Sequence, residues 1–379
     1  MLAFSVKTSV IFGEGAVTEM PAIMGKAQAR SAWVISSENL ASCGLWDVVK
    51  KSLGSSDAII ESYLVADREP SFETLQKAFE HASLKKCDLV IGLGGGSCID
   101  TAKIVALGLG QSEGVAGLLK GKSIEGSGVQ NIMIPTTAGT GAEVTPNAVF
   151  VDEYEGIKKG IVSDFLIPTA AVVDPTLMVS MPPELTASTG IDALSHSLES
   201  FVSRKANAFS DLFAKESVKL AFEHLAQACA HGSDLKARSG MALASLYGGI
   251  ALTHSGTCGA HALAYPLGGR FKVPHSLAVA ILIRPVMELI RSAIQTRLAD
   301  LAGYLGFQGP SERLPDIFMN ELENLVSRIG IPRHSHSWGI SEDEIEWLTS
   351  NASKVRRLLD NSPRELGFEE IKAIYRKII

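Results

Sequence analysis

The sequence changes character near its midpoint, and this change limits the folds that the chain can adopt. Up to about residue 175, short apolar runs typical of strands alternate with helical patterns, as in residues 32–36 followed by 45–53. Such alternation predicts right-handed βαβ units and a parallel sheet covered on both faces. In the second half, long segments such as 211–230 have helical spacing without strand signals. We predict an α/β domain over residues 1–180 and an all-α domain over residues 181–379.

The length and composition support two globular domains. The chain has 379 residues, more than a single hydrophobic core usually supports, and 46% of them are apolar. The net charge is −6 and no long Lys/Arg cluster is present, so we expect a small-molecule partner and no nucleic acid. The beginning of the sequence has no leader pattern and no apolar run is long enough to span a bilayer. With 5 cysteines and no C-x-x-C pair, we expect a cytoplasmic protein.

A glycine-rich turn follows a predicted strand and precedes a predicted helix. Its glycines are Gly94, Gly95 and Gly96. Glycines let backbone N–H groups approach a phosphate closely, and the following helix adds its positive N-terminus. Ser97 and Asp100 fit a capping box that would start this helix. Because the run is not the strict G-x-G-x-x-G fingerprint, a dinucleotide site and a tight structural turn are both open at this point.

A second loop of glycines and hydroxyls follows the next predicted strand. It contains Thr136, Thr137 and Thr140, interleaved with Gly139 and Gly141. In a parallel sheet both loops emerge at the carboxyl edge, where ligands of open α/β sheets bind. A polar turn capped by threonines is the alternative. Two such loops together favour a dinucleotide site.

The second half contains residues suited to binding a metal ion. Asp192 and His196 are four residues apart in a predicted helix, which places them on one helix face. His261 and His275 follow, separated by a segment in which Pro266 is expected to break the helix. One carboxylate and three imidazoles suit Fe²⁺ or Zn²⁺. Taken singly, each of these residue types is more often structural, so the set needs independent support.

The other histidines provide a comparison. We interpret five of them as non-ligands, because they lie in a polar loop or on charged helix faces: His81, His224, His231, His334 and His336. His254 is left open.

The glycine turn, the threonine loop and the four candidate metal ligands lie in segments in which the sequence resembles the iron-containing, or group III, alcohol dehydrogenases. Four segments carry the resemblance: GLGGGSCIDTAK (92–103), PTTAGTGAEVT (135–145), DPTLMVSMPPELTASTGIDALSHSLESF (174–201) and GAHALAYPLGGRFKVPHS (259–276). Several long motifs in the right order are far more specific than one glycine loop. The match covers nearly the whole chain.

The resemblance implies an enzyme that interconverts a short-chain alcohol and its aldehyde by hydride transfer with a nicotinamide dinucleotide. It implies a dinucleotide-binding domain followed by a helical metal-binding domain, as in dehydroquinate synthases, with catalysis in the cleft between them. The implied metal ligands, for Fe²⁺ or alternatively Zn²⁺, are Asp192, His196, His261 and His275. The two loops and the resemblance together predict a cofactor site of Ser37, Gly94, Gly95, Gly96, Ser97, Asp100, Thr136, Thr137, Thr140 and Lys159.

Two positions depart from the family pattern. Where many members have a second histidine, four residues beyond the third ligand, this chain has Tyr265, which we predict to be the catalytic proton relay. With an unperturbed pKa of about 10, tyrosine is a weaker proton acceptor near neutrality. At the end of the second strand, where an acid would hold the adenosine ribose, Ser37 is aligned and Glu38 is adjacent. We therefore predict NAD as the cofactor and leave NADP open.

The substrate pocket is predicted from three residues. Asn147 lies just past the threonine loop, and Arg270 and Lys272 lie between the third and fourth predicted ligands. Two cations there would bind a small aldehyde with an anionic head group. The alternative is that they face solvent or pair with acids of a neighbouring helix. A lyase-type reaction on the same scaffold and a non-catalytic metal or nucleotide sensor are the other functions considered, and a homodimer or higher homo-oligomer is expected.

Overall fold

The computed structural model describes residues 4–65, 70–153, 157–335 and 338–379. The chain divides into two compact units. The first comprises Met1–Thr137 and Gly141–Ser180, and the second comprises Ala138–Thr140 and Met181–Ile379. His336, one of the predicted non-ligands, lies outside the described residues.

The first unit contains a parallel sheet. Its strands are β1 (Ser9–Phe12), β2 (Ser31–Ser37), β3 (Ile59–Val65), β4 (Leu89–Gly94), β5 (Gln130–Pro135), β6 (Asn147–Asp152), β7 (Ile157–Val162) and β8 (Ala170–Val173). Six of them pair in parallel in the order β1-β8-β5-β4-β2-β3. The other two, β6 and β7, form an antiparallel pair. The predicted parallel sheet is confirmed.

Helices cover both faces of this sheet. They are α1 (Met20–Lys26), α2 (Glu38–Ser42), α3 (Leu45–Leu53), α4 (Phe72–Leu84), α5 (Gly96–Gly108) and α6 (Gly114–Leu119). Side chains of a strand alternate between its two faces. Accordingly, Trp33 and Ile35 of β2 share a buried cluster with residues of α4 and α5. Val34, between them, belongs to a cluster with α1 and α3 on the opposite face.

The start of α5 differs from the prediction. The helix begins at Gly96 with Gly95 at the N-cap position, and no side chain caps it, so the predicted capping box of Ser97 and Asp100 is wrong. Gly94 has a φ of +150°, which side chains rarely permit, so the turn itself starts the helix before Ser97 is reached. Asp100 Oδ2 instead accepts a hydrogen bond from the backbone N–H of Val149 in β6, at 3.0 Å.

The second unit is helical. Its helices are α7 (Pro183–Val202), α8 (Ala208–Ala230), α9 (Leu235–Ser255), α10 (Gly259–Phe271), α11 (His275–Tyr304), α12 (Leu314–Arg328), α13 (Ile345–Ala352), α14 (Arg356–Leu359) and α15 (Phe368–Ile378). Small residues let α7 and α9 approach closely: a Cβ on Gly248 would lie 2.8 Å from Ser197 Oγ. The described part of this unit has no strand, so the all-α prediction is confirmed. Within the described residues, no helix is long and apolar enough to cross a membrane.

The predicted helix break at Pro266 is wrong, because α10 continues through this residue. A proline in a helix interior costs about 3 kcal/mol through its missing N–H and a steric clash. Here the neighbouring Ala262, Leu263 and Leu267 are fully buried, and their packing offsets that cost. The helix ends at Phe271, where Lys272 takes a left-handed conformation with a φ of +56°. The chain therefore returns toward His275 through residues 272–274.

Candidate active site

Helix α7 places three buried ionisable side chains on one face. Asp192, His196 and Glu199 are separated by four and three residues, the spacing of successive turns. Asp192 is 2% exposed, His196 8% and Glu199 0%. Charged and titratable groups at this depth need compensating partners or a bound ion. The surroundings of each of them therefore indicate what the site binds.

Three predicted ligands meet in one cluster. Ligand atoms of Asp192, His261 and His275 all lie within 4.8 Å of one another. Asp192 Oδ1 and His261 Nε2 are 3.7 Å apart, and neither buried atom has a hydrogen-bond partner within the described residues. Native proteins rarely leave such atoms unsatisfied. A carboxylate oxygen and an imidazole nitrogen that face each other without a hydrogen bond are suitable ligands for a divalent cation such as Fe²⁺ or Zn²⁺.

The fourth predicted ligand, His196, lies beside this cluster but is not part of the closest group. Its ring stacks on that of His261 with centroids 4.5 Å apart. Its Nδ1 is 3.2 Å from the backbone oxygen of Gly139. A carbonyl only accepts, so Nδ1 carries the proton and Nε2 of the neutral ring keeps its lone pair. Burial lowers the pKa of His196, which also favours the neutral, ligand-competent form.

The charges of the cluster favour a cation at its centre. Burial raises the pKa of the Asp192 carboxyl, but the attraction of His196, His261 and His275 outweighs it and lowers that pKa to about 2. Burial lowers the pKa of His261, but Asp192 and Glu199 outweigh it and raise that pKa to about 9. Two carboxylates thus stabilise positive charge at His261. A metal ion would supply that charge in place of the proton.

Glu199 was not predicted from the sequence, yet it supports the cluster. It accepts hydrogen bonds from the backbone N–H groups of Cys258 (3.0 Å) and Ala260 (2.7 Å), at the start of α10. Its Oε2 also lies 2.6 Å from His261 Nδ1. This contact keeps the proton on Nδ1 and aims the ring, as carboxylates do behind metal-binding histidines. An acid seven residues beyond Asp192, on the same face of the predicted helix, is the sequence signal that could have indicated it.

Tyr265, the predicted proton relay, lies next to a predicted ligand. Its ring packs edge-on against the ring of His275, with centroids 6.2 Å apart. Its hydroxyl accepts a hydrogen bond from Arg357 Nη2 at 3.4 Å. Arg357, on α14, was not predicted, because nothing in the sequence links this helix to α10. Among the described residues, no carboxylate pairs with Arg357.

The predicted pocket residues are placed differently from one another. Arg270 pairs with Glu344 at 2.9 Å, and its guanidinium lies over the ring of Trp347 at 4.5 Å. This arrangement matches the alternative interpretation of a surface ion pair. Lys272 is exposed at the end of α10. Asn147 is half-buried at the start of β6 in the first unit. His254, left open by the sequence, is half-buried in α9 and outside the ligand cluster.

The two predicted phosphate loops are neighbours in the first unit. The last residue of β4, Gly94, pairs with the last residue of β5, Pro135. The N–H of Thr136 donates to the Gly94 oxygen at 3.0 Å. A Cβ on Gly95 would lie 3.4 Å from Thr137 Oγ1. The glycine turn and the first threonines thus form one continuous surface with the N-terminus of α5, which suits an anion.

The remaining predicted cofactor residues lie at several places. Ser37 ends β2 and contacts the thiol of Cys98 in α5. Lys159, in β7, pairs with Asp152 at 2.7 Å, and both line an open cavity of about 620 Å³. Thr140 belongs to the second unit, in the short segment that also supplies the Gly139 oxygen to His196.

A buried lysine that the sequence did not mark as a site residue joins α5 to the segment that follows the threonine loop. Lys103 is 0% exposed, and its Nζ donates to the backbone oxygens of Ala142 (3.0 Å), Thr145 (2.7 Å) and Asn147 (2.6 Å). Burial lowers the pKa of Lys103 to about 8, although nearby carboxylates act in the other direction. Burial likewise raises the pKa of the adjacent Glu143 to about 7. The motif GLGGGSCIDTAK contains this lysine, but a lysine in a helix usually faces solvent.

A helical unit with buried carboxylate and imidazole groups, in the same chain as an α/β unit with anion-binding loops, is typical of metal-dependent dehydrogenases. Two family matches agree. Residues 7–175 match the family described as iron-containing alcohol dehydrogenase, and residues 186–379 match the C-terminal domain of the Fe-containing alcohol dehydrogenase family. The chain belongs to the iron-containing alcohol dehydrogenase family, and it is an oxidoreductase that interconverts alcohols and aldehydes. This membership favours the dehydrogenase over the lyase-type and sensor alternatives.

Individual relatives are similar over nearly the whole chain. The long-chain-alcohol dehydrogenase 1 of Geobacillus thermodenitrificans is 39% identical over 371 residues, covering 96% of this chain and 93% of the relative. The 1-propanol dehydrogenase of Salmonella typhimurium is 33% identical and covers 100% of both chains. The crystal structure of sulfoacetaldehyde reductase from Bifidobacterium kashiwanohense in complex with NAD⁺ is 27% identical, with a TM-score of 0.91, and covers 100% of this chain and 98% of that one.

Proposed function

We propose that this enzyme interconverts a short-chain alcohol and its aldehyde with NAD(H) and a divalent metal, Fe²⁺ or alternatively Zn²⁺. The observation that carries the metal is the pair of buried, unbonded atoms Asp192 Oδ1 and His261 Nε2, 3.7 Å apart. The NAD⁺ in the similar sulfoacetaldehyde reductase supports the cofactor. Asp192, His196, His261 and His275 are the proposed ligands.

When bound, the metal would supply Lewis acidity for the substrate oxygen, and the nicotinamide would supply or accept the hydride. The residues of the chain prepare this chemistry. Glu199 holds a proton on His261 Nδ1, and the Gly139 oxygen holds one on His196 Nδ1, which leaves both Nε2 atoms free to ligate. Tyr265, beside His275, is the proposed site of proton exchange with solvent. The turn at Gly94–Ser97 and Thr136 and Thr137 are proposed to bind the cofactor phosphates.

The test is turnover by the reconstituted enzyme. Protein freed of metal is loaded anaerobically with Fe²⁺ or Zn²⁺ and given a panel of short aldehydes with NADH or NADPH, and oxidation of the cofactor is followed by absorbance. We expect turnover only with metal present, and a modest preference for NADH. Equal turnover without metal, or none with any aldehyde and either cofactor, would contradict the proposal.

A substrate with an anionic head group is a second, narrower candidate. The similarity to a sulfoacetaldehyde reductase favours it. Arg270 and Lys272 are the cations that the sequence predicts for the head group, but Glu344 already compensates the charge of Arg270. Arg357 is better placed, because it contacts Tyr265, whose ring packs on His275. We therefore propose Arg357 as the cation that would hold a sulfonate, carboxylate or phosphonate.

Two further properties are proposed. The described cysteines form no disulfide, and Cys43 is exposed as a free thiol, which favours a reducing compartment such as the cytoplasm. Two exposed apolar side chains one turn apart on α8, Phe209 at 40% and Leu212 at 68%, support a homo-oligomer, with a dimer the simplest form. Light scattering of the purified enzyme tests the oligomer, and fractionation of the producing cells tests the compartment.

A further inference from the structure

We propose that Lys103 is a positioning residue for the cofactor. It holds the threonine loop against the helix that starts at the glycine turn, so that both loops face the same phosphates. The inference rests on the proposed function, because it assumes that these loops bind a nicotinamide dinucleotide.

The contacts of Lys103 require a charged ammonium. Its Nζ lies within hydrogen-bond distance of three backbone oxygens, of Ala142, Thr145 and Asn147, and of Thr145 Oγ1 at 3.2 Å. A neutral amine would offer fewer protons and would need a donor of its own. Burying this charge is costly, and an apolar side chain would fill the same space without that cost. The buried charge is compensated by these oxygens, and the carboxylates of Asp100 and Glu143 are also nearby.

These oxygens belong to a segment with little regular structure. Residues 142–146, between the threonine loop and β6, contain one short 3₁₀ turn, Ala142–Val144, and β6 begins at Asn147. Backbone oxygens that are buried there need donors. Lys103 supplies a single donor group to oxygens spread over six residues, 142–147. Removal of the ammonium would free this segment to move.

The threonine loop and the segment that follows it are fixed, at both ends of this stretch, to the same strand and helix. At its start, the Thr136 N–H donates to the oxygen of Gly94, the last residue of β4. At its end, Lys103 and Asp100 of α5 bind residues 142–147 and the N–H of Val149. Because β4 leads directly through the glycine turn into α5, this strand and helix set the position of both loops. Lys103 provides the central contact.

The test compares Lys103→Met with Lys50→Met, an exposed lysine of α3. In Lys103→Met we expect the Kd for NADH, measured by fluorescence, and the KM for NADH to rise about tenfold or more. At saturating NADH we expect kcat and the KM for aldehyde to stay within about threefold of wild type, with metal content unchanged. Amide hydrogen exchange should rise in residues 136–149. Lys50→Met should match wild type.

A folded Lys103→Met enzyme with wild-type NADH affinity would overturn the inference, and so would equal losses in cofactor affinity, metal content and kcat. If circular dichroism shows that Lys103→Met does not fold, Thr145→Val, which removes one acceptor and keeps the side-chain shape, carries the test. It should raise the Kd for NADH about two- to threefold, and no change would overturn the inference. If wild type neither binds NADH nor turns over, the proposed function fails. If wild type binds NADH and turns over, and the variant binds NADH with the same affinity, only the positioning role of Lys103 fails.

Discussion

Glu199 Oε2 lies 2.6 Å from His261 Nδ1, and the opposite nitrogen of the same ring, Nε2, lies 3.7 Å from Asp192 Oδ1. His261 is thus held between two buried carboxylates. One of them fixes the proton, and the other lies where a shared cation would bind. Because Glu199 also accepts from the first N–H groups of α10, the orientation of His261 is coupled to the start of its own helix.

We expect Glu199→Gln to weaken metal binding by about 10- to 100-fold, because the amide loses the charge that steadies the His261 proton. The metal dissociation constant is measured by competition with a chelator, and metal content by mass spectrometry. Glu184→Gln, at an exposed position on the same helix, is the matched control and should bind metal as wild type does. Wild-type affinity in Glu199→Gln would show that the contact has no role in ligation.

We expect Ser37→Asp to sharpen the preference for NADH over NADPH. A carboxylate at the end of β2 would accept hydrogen bonds from the ribose hydroxyls and repel a 2′-phosphate. The measurement is the ratio of kcat/KM for the two cofactors in wild type and variant. A strong native preference for NADPH, or an unchanged ratio in the variant, would show that Ser37 is not at the ribose.

We expect Arg357→Ala to raise the KM for a short aldehyde with a sulfonate group about tenfold or more, and the KM for propanal much less. The reason is that a hydrogen bond to a charged group is lost only with the anionic substrate. Arg270→Ala is the matched control, because Glu344 already pairs with Arg270, and it should affect both substrates equally. Comparable native kcat/KM values for both aldehydes would rule out the anionic substrate class.

We expect Glu143 to make stability depend on pH. Burial raises the pKa of this carboxyl from 4.5 to about 7, so the folded state binds the proton more tightly than the unfolded state. The resulting stabilisation is complete below pH 4.5 and is lost as the pH rises through about 7. Across this window, denaturant unfolding of wild type should lose about 1–3 kcal/mol relative to Glu143→Gln. Parallel pH profiles for the two proteins would contradict the assignment.

Much of the fold was predictable because its signals are local. Strand β2 is visible in the sequence as an apolar run of strand length. Its residues Trp33 and Val34 are both buried, on opposite faces of the sheet. The course of α10 was not predictable in the same way. Pro266 is an unfavourable residue for a helix interior, and only the burial of the residues around it, which depends on the rest of the unit, decides that the helix continues.

The site was predictable to the extent that its residues share a motif. The Asp192 and His196 spacing is a helix period, and the resemblance supported the two further candidates, His261 and His275. Arg357 and Lys103 act through contacts between distant segments: Arg357 reaches Tyr265 across 92 positions, and Lys103 reaches Ala142 across 39. No local pattern encodes such contacts. Glu199 was only partly predictable from the sequence. Helix spacing places it on the same face as the ligands, but its hydrogen-bond partners come from the start of α10.

The most direct test of the central claim is the metal content of the reconstituted enzyme, measured with turnover on the same samples. Wild type and His334→Ala should each bind one metal ion per chain and oxidise NADH with a short aldehyde. Asp192→Ala and His261→Ala should lose most of the metal and essentially all turnover, because removal of one ligand opens the site and unbalances its charge. Full metal content and undiminished turnover in either ligand variant would contradict the assignment of the metal centre.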